Sequence, residues 1–286
     1  MFYYRRMRFP QGKDKALTLS YDDDTIHDLR FAEIINRYGI KCTFNLNFGR
    51  FSDGVQHLSA MTLQQAKDLL MDSPHEVAVH GYTHMPLRDV PCNVANQDVS
   101  TDVAAAEKAF GRIVRGMAYA NGSFNEETGS VLAHCGIEYC RTVRATRSFA
   151  LPKNWLYLDP TCHHKDPELF SLAEKFLNDT PKGDPYLFYL WGHAYEFNND
   201  NNWDLLERFC QTVGNREDVW YATNIEIFDY IRDYNRLIFS FDGSWVHNPT
   251  AQEIFFSVGE RAGTYDYAVK PGETVFIDRT LPEKKG

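Results

Sequence analysis

Segments with the pattern of strands alternate with segments with the pattern of helices along most of this 286-residue chain. The predicted strands cover residues 16–21, 41–47, 76–79, 117–120, 138–143, 186–192 and 219–222. Amphipathic stretches that predict helices follow, at residues 26–38, 62–70, 94–110, 126–135, 167–178, 203–213 and 225–234. Seven or so such β-then-α units indicate a parallel sheet with crossover helices.

The run 186–192, Tyr-Leu-Phe-Tyr-Leu-Trp-Gly, is apolar without alternation, which is typical of a strand buried on both faces of a parallel sheet. No Gly-rich phosphate loop follows any predicted strand. Polar residues with catalytic potential instead recur at the ends of several strands, where barrel enzymes place their sites. These features favour a closed or nearly closed β/α barrel over an open doubly wound sheet.

The pattern changes after Arg236. Short β-type runs follow, broken by Asp242-Gly243, Asn248-Pro249 and Pro271-Gly272, which predicts antiparallel β structure. We therefore predict a barrel over residues 1–236 and a β segment over residues 237–286. We expect the segment to pack on the barrel as a cap, because so few residues rarely hold a stable core alone; a separate small module is the alternative.

Composition narrows the functional classes. The net charge is −9 and the pI is near 5.6, which argues against binding to a phosphate backbone. No apolar run approaches the roughly 20 residues of a membrane span, so we expect no membrane partner.

Six cysteines without a Cys-x-x-Cys pair are typical of reduced thiols. The start of the chain has no signal-like apolar region, so we expect a cytoplasmic protein, with an exported protein whose signal was removed as the alternative. The oligomeric state stays open.

Three carboxylates, Asp22-Asp23-Asp24, follow the first predicted strand. Like charges this close are costly unless a cation compensates them, although adjacent Asp residues also occur in simple polar turns. A second strand end supplies two imidazoles, His80 and His84. One carboxylate and two imidazoles form a plausible site for one divalent metal, and a second carboxylate beside it is a plausible base.

Another histidine, His193, ends the most apolar strand, a setting that suits a proton donor or acceptor near neutral pH; a structural histidine is the alternative. His163 and its neighbour His164 are predicted in a loop, facing substrate or serving structure. Tyr119 and Trp191 lie near strand ends, where they could stack on sugar rings or simply fill the core.

In order and spacing, these segments resemble the polysaccharide deacetylase family, also called the NodB-homology domain or carbohydrate esterase family 4, over about residues 15–235. The family's first motif, Thr-Phe-Asp-Asp-Gly, is matched by residues 20–24, Ser-Tyr-Asp-Asp-Asp. Its second, His-Ser/Thr-x-x-His, is matched by residues 80–84, and its last, a catalytic His after a strand, by residues 190–193.

The resemblance implies a distorted β/α barrel that binds one divalent metal and removes acetyl groups from a carbohydrate. It implies Asp22 as the general base, Asp23, His80 and His84 as metal ligands, and His193 as the general acid. We expect zinc, although this donor set also accepts Co, Ni, Fe or Mn.

The chain departs from the family pattern at several positions. Asp24 stands where the family has Gly, and Gly81 where it has Ser or Thr. The family's third motif carries an Arg that steadies the base, and residues 117–125 contain none, so we expect Arg141 or Arg144 to substitute. Asp159 lies in the region from which the family orients the catalytic His.

We therefore predict a metal-dependent hydrolase acting on an N- or O-acetylated carbohydrate. Candidate substrate-binding residues are Tyr119, Arg144, Asp159, His163 and Trp191. Three alternatives remain: a carbohydrate-binding protein without turnover, a hydrolase of a small amide or cyclic ureide, and an Fe(II) oxygenase. The chain order of the carboxylate and the two histidines argues against the last.

Overall fold

The fold is described from a computed structural model, over residues 4–51, 59–260 and 263–277. Its α-helices are His27–Arg37 (α1), Leu63–Leu70 (α2), Cys92–Phe110 (α3), Glu126–His134 (α4), Leu169–Asn178 (α5), Ala194–Asn199 (α6), Trp203–Val213 (α7) and Asn224–Asn235 (α8). The first strands are Tyr4–Arg8 (β1), Lys15–Asp22 (β2), Cys42–Leu46 (β3), Glu76–Val79 (β4), Gly116–Ala118 (β5), Tyr139–Arg141 (β6), Cys162–His163 (β7), Tyr186–His193 (β8) and Val219–Tyr221 (β9). The last are Ile238–Phe239 (β10), Trp245–His247 (β11), Ile254–Glu260 (β12), Gly263–Val269 (β13) and Thr274–Phe276 (β14).

The main sheet is parallel and curls into a half-barrel with the strand order β6-β5-β4-β3-β2-β8-β7. β9 pairs with the first half of β2. Asp22, the last residue of β2, lies opposite Asn45 of β3 and His193 of β8. This architecture confirms the predicted barrel of about seven parallel strands, with the predicted polar residues at the carboxyl ends.

Side chains of β2 alternate between two environments, as the strand period requires. Leu17, Leu19 and Tyr21 belong to the large core beneath the surrounding helices. Ala16 belongs to a second core that includes residues of α8 and of the C-terminal strands, and Asp22 points to the same interior side at the open end. Thr62 and Gln65 form a capping box at the start of α2.

The strand β1 was not predicted, and neither were two short elements of the barrel. β7 has two residues, and α6 has six residues that follow His193 directly. Elements this short carry no readable hydrophobic period, so only their tertiary contacts identify them. Residues 158–163 bridge the two ends of the curled sheet, because the Leu158 amide donates to Cys140 O of the edge strand β6 (2.9 Å) and the Thr161 amide to Tyr189 O of β8 (2.9 Å).

C-terminal strands form two small antiparallel sheets, as the composition predicts. One has the order β10-β11-β14, and in the other the N-terminal strand β1 pairs with β12, which pairs with β13. Val246, Ile254 and Phe256 share the second core with Ile227 and Phe228 of α8. The division at residue 236 stays a prediction. Among the described residues, no helix combines the length and apolar character needed to cross a membrane.

A buried carboxylate lies at the opposite end of the barrel from Asp22. Glu76 begins β4, and its oxygens accept hydrogen bonds from the Tyr139 hydroxyl (2.7 Å), the Thr43 hydroxyl (2.8 Å) and the Ile225 amide (3.0 Å). Burial raises the pKa of Glu76 to about 7, because these three uncharged donors compensate the loss of water only in part.

This raised pKa predicts a pH-dependent stability. Between its ordinary pKa of 4.5 and about 7, folded Glu76 holds a proton that the unfolded chain releases. The free energy of unfolding should therefore fall as pH rises through this window, by up to about 3 kcal/mol. Glu76→Gln mimics the protonated acid and should remove this pH dependence. The measurement is the free energy of unfolding in urea, compared at a pH below 7 and a pH above 7. Glu138→Gln, at an exposed residue, is the control, and an unchanged pH dependence in Glu76→Gln would refute the assignment.

Candidate active site

The turn after β2 carries the three successive carboxylates in an unusual backbone. Asp23 has φ 83° and Asp24 has φ 42°, both in the left-handed region that favours glycine and tolerates Asp. The Asp24 carboxylate is buried and accepts the amide of Asn47 (3.0 Å), while its carbonyl accepts the amide of Met61 (2.8 Å). Asp24 therefore fixes the turn. Its positive φ is the conformation that glycine adopts most easily, which is consistent with Gly at this position of the family motif.

An arginine that sequence reasoning missed also holds this turn. Arg50 donates from Nη1 to the Asp23 carbonyl (2.8 Å) and from Nη2 to Asp23 Oδ1 (3.3 Å). Its Nη1 lies 3.7 Å from Asp24 Oδ1. The only sequence signal was its position in the segment that follows β3, at the same edge of the sheet as Asp23.

Two histidines reach the same point from the loop that follows β4. His80 lies next to the end of the strand, and Gly81 (φ 87°) and His84 (φ 55°) turn the chain back. A Cβ at Gly81 would lie 3.0 Å from Asp98 Oδ2, so both backbone and space favour glycine there. The ligand atoms of Asp23, His80 and His84 all lie within 4.8 Å of one another.

The chemistry of this trio fits a divalent metal. The carbonyl of Ala118 lies 2.8 Å from His80 Nδ1, so that nitrogen carries the proton and leaves the Nε2 lone pair free. Burial, together with the neighbouring His80, lowers the pKa of His84 and favours its neutral, ligating form. Asp23, His80 and His84 are therefore the residues that could hold a metal, and we call them the metal trio.

Asp22 lies beside this trio and is held by two donors. Asn45 Nδ2 donates to Asp22 Oδ1 (2.8 Å), and the fully buried Arg141 donates from Nη2 to Asp22 Oδ2. Burial alone would raise the pKa of Asp22, but the Arg141 guanidinium and the imidazoles of His80 and His193 outweigh it, and the pKa falls to about 2. Asp22 is thus an ionised, oriented carboxylate across the neutral range.

Of the two arginines considered as the partner of Asp22, the structure places Arg141 there. It ends β6, and its guanidinium lies 4.3 Å from the ring centroid of Trp191. Arg144 points elsewhere: its Nη2 donates to Asp159 Oδ2 (2.8 Å) at a partly exposed position.

His193 faces the metal trio and Asp22 from β8. Its Nε2 lies 3.9 Å from Asp22 Oδ2 and 3.8 Å from Asp23 Oδ2, while its Nδ1 lies 3.0 Å from Glu196 Oε2. Burial by itself would lower the pKa of His193, but the carboxylates of Glu196, Asp22 and Asp23 outweigh it and raise that pKa. The ring is therefore biased toward its protonated, proton-donating form.

The carboxylate that orients His193 is Glu196, and the expectation for Asp159 has to be corrected. Asp159 accepts hydrogen bonds from Thr142 and Arg144, on a different segment. Glu196 lies three residues after His193 in the first turn of α6, so the helix itself brings the carboxylate to the ring. The spacing His-x-x-Glu was the available signal, but recognising it required knowing that a helix starts at once.

The Glu196 carboxylate contacts several positive or polar side chains. His163 Nε2 lies 3.1 Å from its Oε2, and Lys165 Nζ lies 3.1 Å from its Oε1. Burial would raise the pKa of Glu196, but the hydrogen bonds from His163 and His193 hold it well below its usual range. Glu196 therefore stays ionised and accepts from both rings.

His163, His193 and Glu196 also cluster closely enough to consider a second metal site. The backbone amide of Lys165, however, donates to His163 Nδ1 (3.1 Å). A neutral His163 then carries its proton on Nε2, which donates to Glu196 instead of binding a metal. The tautomers thus distinguish the two groups: the histidines of the metal trio can offer a free lone pair, whereas His163, His193 and Glu196 are joined by hydrogen bonds.

Other predicted substrate residues differ in accessibility. Tyr119 is buried and donates its hydroxyl to the Leu156 carbonyl (3.0 Å), so it does not face the opening. Trp191 and His163 are half-buried beside His193, with their ring centroids 4.5 Å apart. Arg144 and Asp159 lie together, beside a cavity on the side of the barrel.

Removing the charge of Glu196 should disturb His193 without touching the metal trio. We expect Glu196→Gln to lower kcat by about 10²-fold, in the range for a mispositioned general acid. Because Glu196 raises the pKa of His193, the alkaline limb of the pH profile of kcat/KM should move to lower pH. Glu196→Asp should restore part of the rate, and Glu168→Gln, at an exposed carboxylate, is the control. An unshifted alkaline limb would show that Glu196 does not act on His193.

Comparisons with known proteins agree with this geometry. The family model described as polysaccharide deacetylase matches residues 10–140, which include Asp22, Asp23, His80 and His84 and stop one residue before Arg141. This match confirms the family resemblance seen in the motifs. A search of curated protein sequences found no match.

Solved structures with the same fold include one from Mycobacterium smegmatis assigned as a polysaccharide deacetylase, at 16% identity and a TM-score of 0.58 over 80% of this chain and 94% of that one. A carbohydrate esterase family 4 pseudoenzyme from Bacillus anthracis has 17% identity and a TM-score of 0.50, over 78% and 68% of the two chains. A mutant of that pseudoenzyme with restored enzymatic activity has 17% identity and a TM-score of 0.51, over 78% and 70%. These likenesses support the barrel fold.

Proposed function

Because residues 10–140 match the polysaccharide deacetylase family model, we propose that this chain is a metal-dependent hydrolase that removes acetyl groups from an acetylated carbohydrate. One observation carries the proposal: the metal trio, the oriented carboxylate of Asp22 and the Nε2 atom of His193 converge at one end of the barrel. Acyl hydrolysis needs an electrophile activator, a base and an acid around one small volume.

A divalent cation held by Asp23, His80 and His84 would polarise the acetyl carbonyl and lower the pKa of water. The protein would have to keep the two imidazoles neutral and the Asp23 carboxylate ionised, and to hold the ligand atom of each side chain facing the metal. Ala118 fixes the tautomer of His80, and Arg50 fixes the backbone and carboxylate of Asp23. Zinc fits this donor set, as do Co, Ni, Fe and Mn.

Asp22 acts as the general base that takes a proton from the attacking water. With a pKa of about 2 it is ionised across the neutral range, but it is a weak base. It therefore works only on water whose acidity has been raised, which matches its place beside the metal trio. Arg141 and Asn45 prevent the carboxylate from rotating away.

His193 acts as the general acid for the leaving group. Its Nδ1 proton is held by Glu196, so its Nε2 proton points toward the space between Asp22 and Asp23. Transfer of that proton to the leaving atom, as its bond to the acetyl carbon breaks, lets the nitrogen of an N-acetyl group depart as a neutral amine or the oxygen of an O-acetyl group as a neutral alcohol. Glu196 stabilises the imidazolium before the transfer.

Hydrolysis of a substrate panel, followed as acetate release for the acetylated substrates and as loss of substrate for the others, tests the proposal. The panel contains N-acetylated and O-acetylated oligosaccharides, a small amide and a cyclic ureide, each assayed with metal-loaded protein and after chelation. We expect acetate from at least one carbohydrate, loss of turnover on chelation and recovery on adding zinc or cobalt. Carbohydrate binding without acetate release would favour a non-catalytic protein, and turnover of the ureide alone would favour the small-amide alternative.

A further inference from the structure

Helix α3 carries two carboxyl groups on its buried face. Positions on this face recur every three or four residues from Ala95 to Phe110, as the helical period requires, and two of them are Asp98 and Asp102. These two residues are only 5% and 0% exposed. Carboxyl groups are seldom buried so completely without polar partners, so their partners show what this face of the helix holds.

Asp102 accepts backbone amides from two segments at the catalytic end of the sheet. Its Oδ1 accepts the Phe48 amide (2.9 Å), and its Oδ2 accepts the His80 amide (3.2 Å). The His80 amide is shared with the carbonyl of Leu46, the last residue of β3 (2.9 Å), and the Gly81 amide also donates to Asp102. Asp102 therefore joins the segment after β3 to the segment after β4.

Asp98 holds the next part of the segment after β4, residues 80–84, which we call the histidine loop. Its Oδ1 accepts both the amide (3.0 Å) and the hydroxyl (2.7 Å) of Thr83. Its Oδ2 faces Gly81, where a Cβ would lie 3.0 Å away. The family motif has Ser or Thr at the position of Gly81. In this chain that side chain is absent, and the loop is anchored by a carboxyl group from α3.

The histidine loop follows a path that needs such support. His84 has φ 55°, which residues other than glycine adopt rarely, and the rings of His80 and His84 lie with their centroids 4.9 Å apart. On the carbonyl side of the loop, Asn47 Nδ2 donates to the carbonyls of His80 (3.0 Å) and Gly81 (2.7 Å). Contacts from α3 and from Asn47 therefore set where the two imidazoles lie.

The third member of the metal trio, Asp23, depends on the same helix through Arg50. Arg50 holds the carbonyl and the carboxylate of Asp23, and it lies two residues after Phe48, whose amide Asp102 accepts. All three side chains of the metal trio are thus supported from α3, directly or through one intermediate. Ligand atoms must be placed to within a few tenths of an ångström, so supports of this kind control metal affinity.

We propose that Asp98 and Asp102 are positioning residues for the metal trio, and that they set its zinc affinity by anchoring the histidine loop and the segment of Arg50 to α3. This inference rests on the metal site of the proposed function and does not depend on which substrate the protein hydrolyses.

Calorimetric titration of the metal-free proteins with zinc tests the proposal. Asp102→Asn leaves one oxygen where two accept amides, and Asp98→Ala removes both acceptors of Thr83. We expect each to lower zinc affinity by about 10–100-fold, the effect of losing an outer partner of a ligand. Thr83→Val, at an exposed position that should not affect folding, removes one hydrogen bond to Asp98 and should lower the affinity by about two- to tenfold.

The matched control is Asp233→Asn. Asp233 is also a buried carboxyl group on a helix, but it lies on α8 and its Oδ2 accepts from Gln252 Nε2 (3.1 Å), away from the metal trio. We expect this variant to bind zinc as the wild type does. Each affinity is measured under conditions in which urea unfolding shows that the metal-free variant is folded.

Cobalt supplies a readout that a purely structural role would not change. The visible absorption of bound Co(II) reports the geometry of its ligands, so saturated Asp102→Asn and Asp98→Ala should differ from the wild type in band position or intensity. Saturated Asp233→Asn should give the wild-type spectrum.

The outcomes separate the inference from the proposed function. If the wild type binds zinc but releases no acetate from any substrate, the proposed activity fails and the titrations still decide the inference. A wild type that binds zinc no better than His80→Ala overturns both. Folded Asp102→Asn and Asp98→Ala proteins with wild-type zinc affinity and cobalt spectra overturn the inference alone, and a loss of stability without a loss of zinc affinity does the same.

Discussion

Asp22→Asn should lower the rate of acetate release by about 10²–10⁴-fold while the protein keeps its metal. The amide cannot accept a proton from water, yet it preserves the shape of the side chain and the contact with Asn45. The metal trio uses Asp23, so metal content should be unchanged. Steady-state kinetics together with metal analysis of the purified variant provide the measurement.

The same substitution leaves Arg141 without its carboxylate partner in a fully buried position, which typically costs about 3–5 kcal/mol of stability. The rates must therefore be measured under conditions in which unfolding curves show that the variant is folded. Asp28→Asn is the matched control, because Asp28 is a neighbouring buried carboxyl whose pKa burial raises well above the usual range, so that the neutral amide resembles its native state. A folded Asp22→Asn protein with wild-type turnover would remove Asp22 from the role of base.

His80→Ala should abolish activity by a different route, through loss of the metal. His80 supplies a fixed Nε2 lone pair, and losing a direct ligand should weaken metal binding by more than the 10–100-fold typical of losing an outer partner. Calorimetric titration of the metal-free protein with zinc, read as affinity and stoichiometry, measures this without reference to turnover.

His75→Ala is the control for the loss of a buried imidazole. His75 precedes β4 at the other end of the strand from His80, and its Nδ1 accepts the Cys42 amide (3.2 Å). We expect this variant to bind zinc with the wild-type stoichiometry. Equal zinc affinity in His80→Ala and the wild type would refute the proposed metal trio.

Much of the site was readable from the sequence because strand ends mark it. Asp22, His80 and His193 each follow an apolar run, and the carboxyl ends of parallel strands meet at one edge of a sheet. The apolar run before His193 predicted its strand, and the residues after Arg236 predicted their antiparallel pairing. The parallel barrel followed from the alternation of strands and helices.

The partners of these residues were at most partly readable, because they depend on contacts between distant segments. Arg141 reaches Asp22 across the barrel interior, and nothing local distinguishes it from Arg144. Arg50 acts on the turn at Asp23 from the segment after β3, and Glu196 requires the unpredicted helix α6. The role of Asp24 is set by its left-handed backbone, which adjacent acidic residues do not reveal.

The pairing of β1 with β12 has a consequence for how this chain acquires its structure. Met7 lies opposite Phe256, so β1 meets its hydrogen-bonding partner only after the whole parallel sheet between the two strands has been synthesised. The parallel barrel contains closer neighbours in sequence and can form earlier, whereas this late contact carries a large loop-closure cost. We expect docking of the C-terminal sheets to be the last and slowest step of folding, and a chain truncated before residue 254 to leave Met7 and its strand exposed to aggregation.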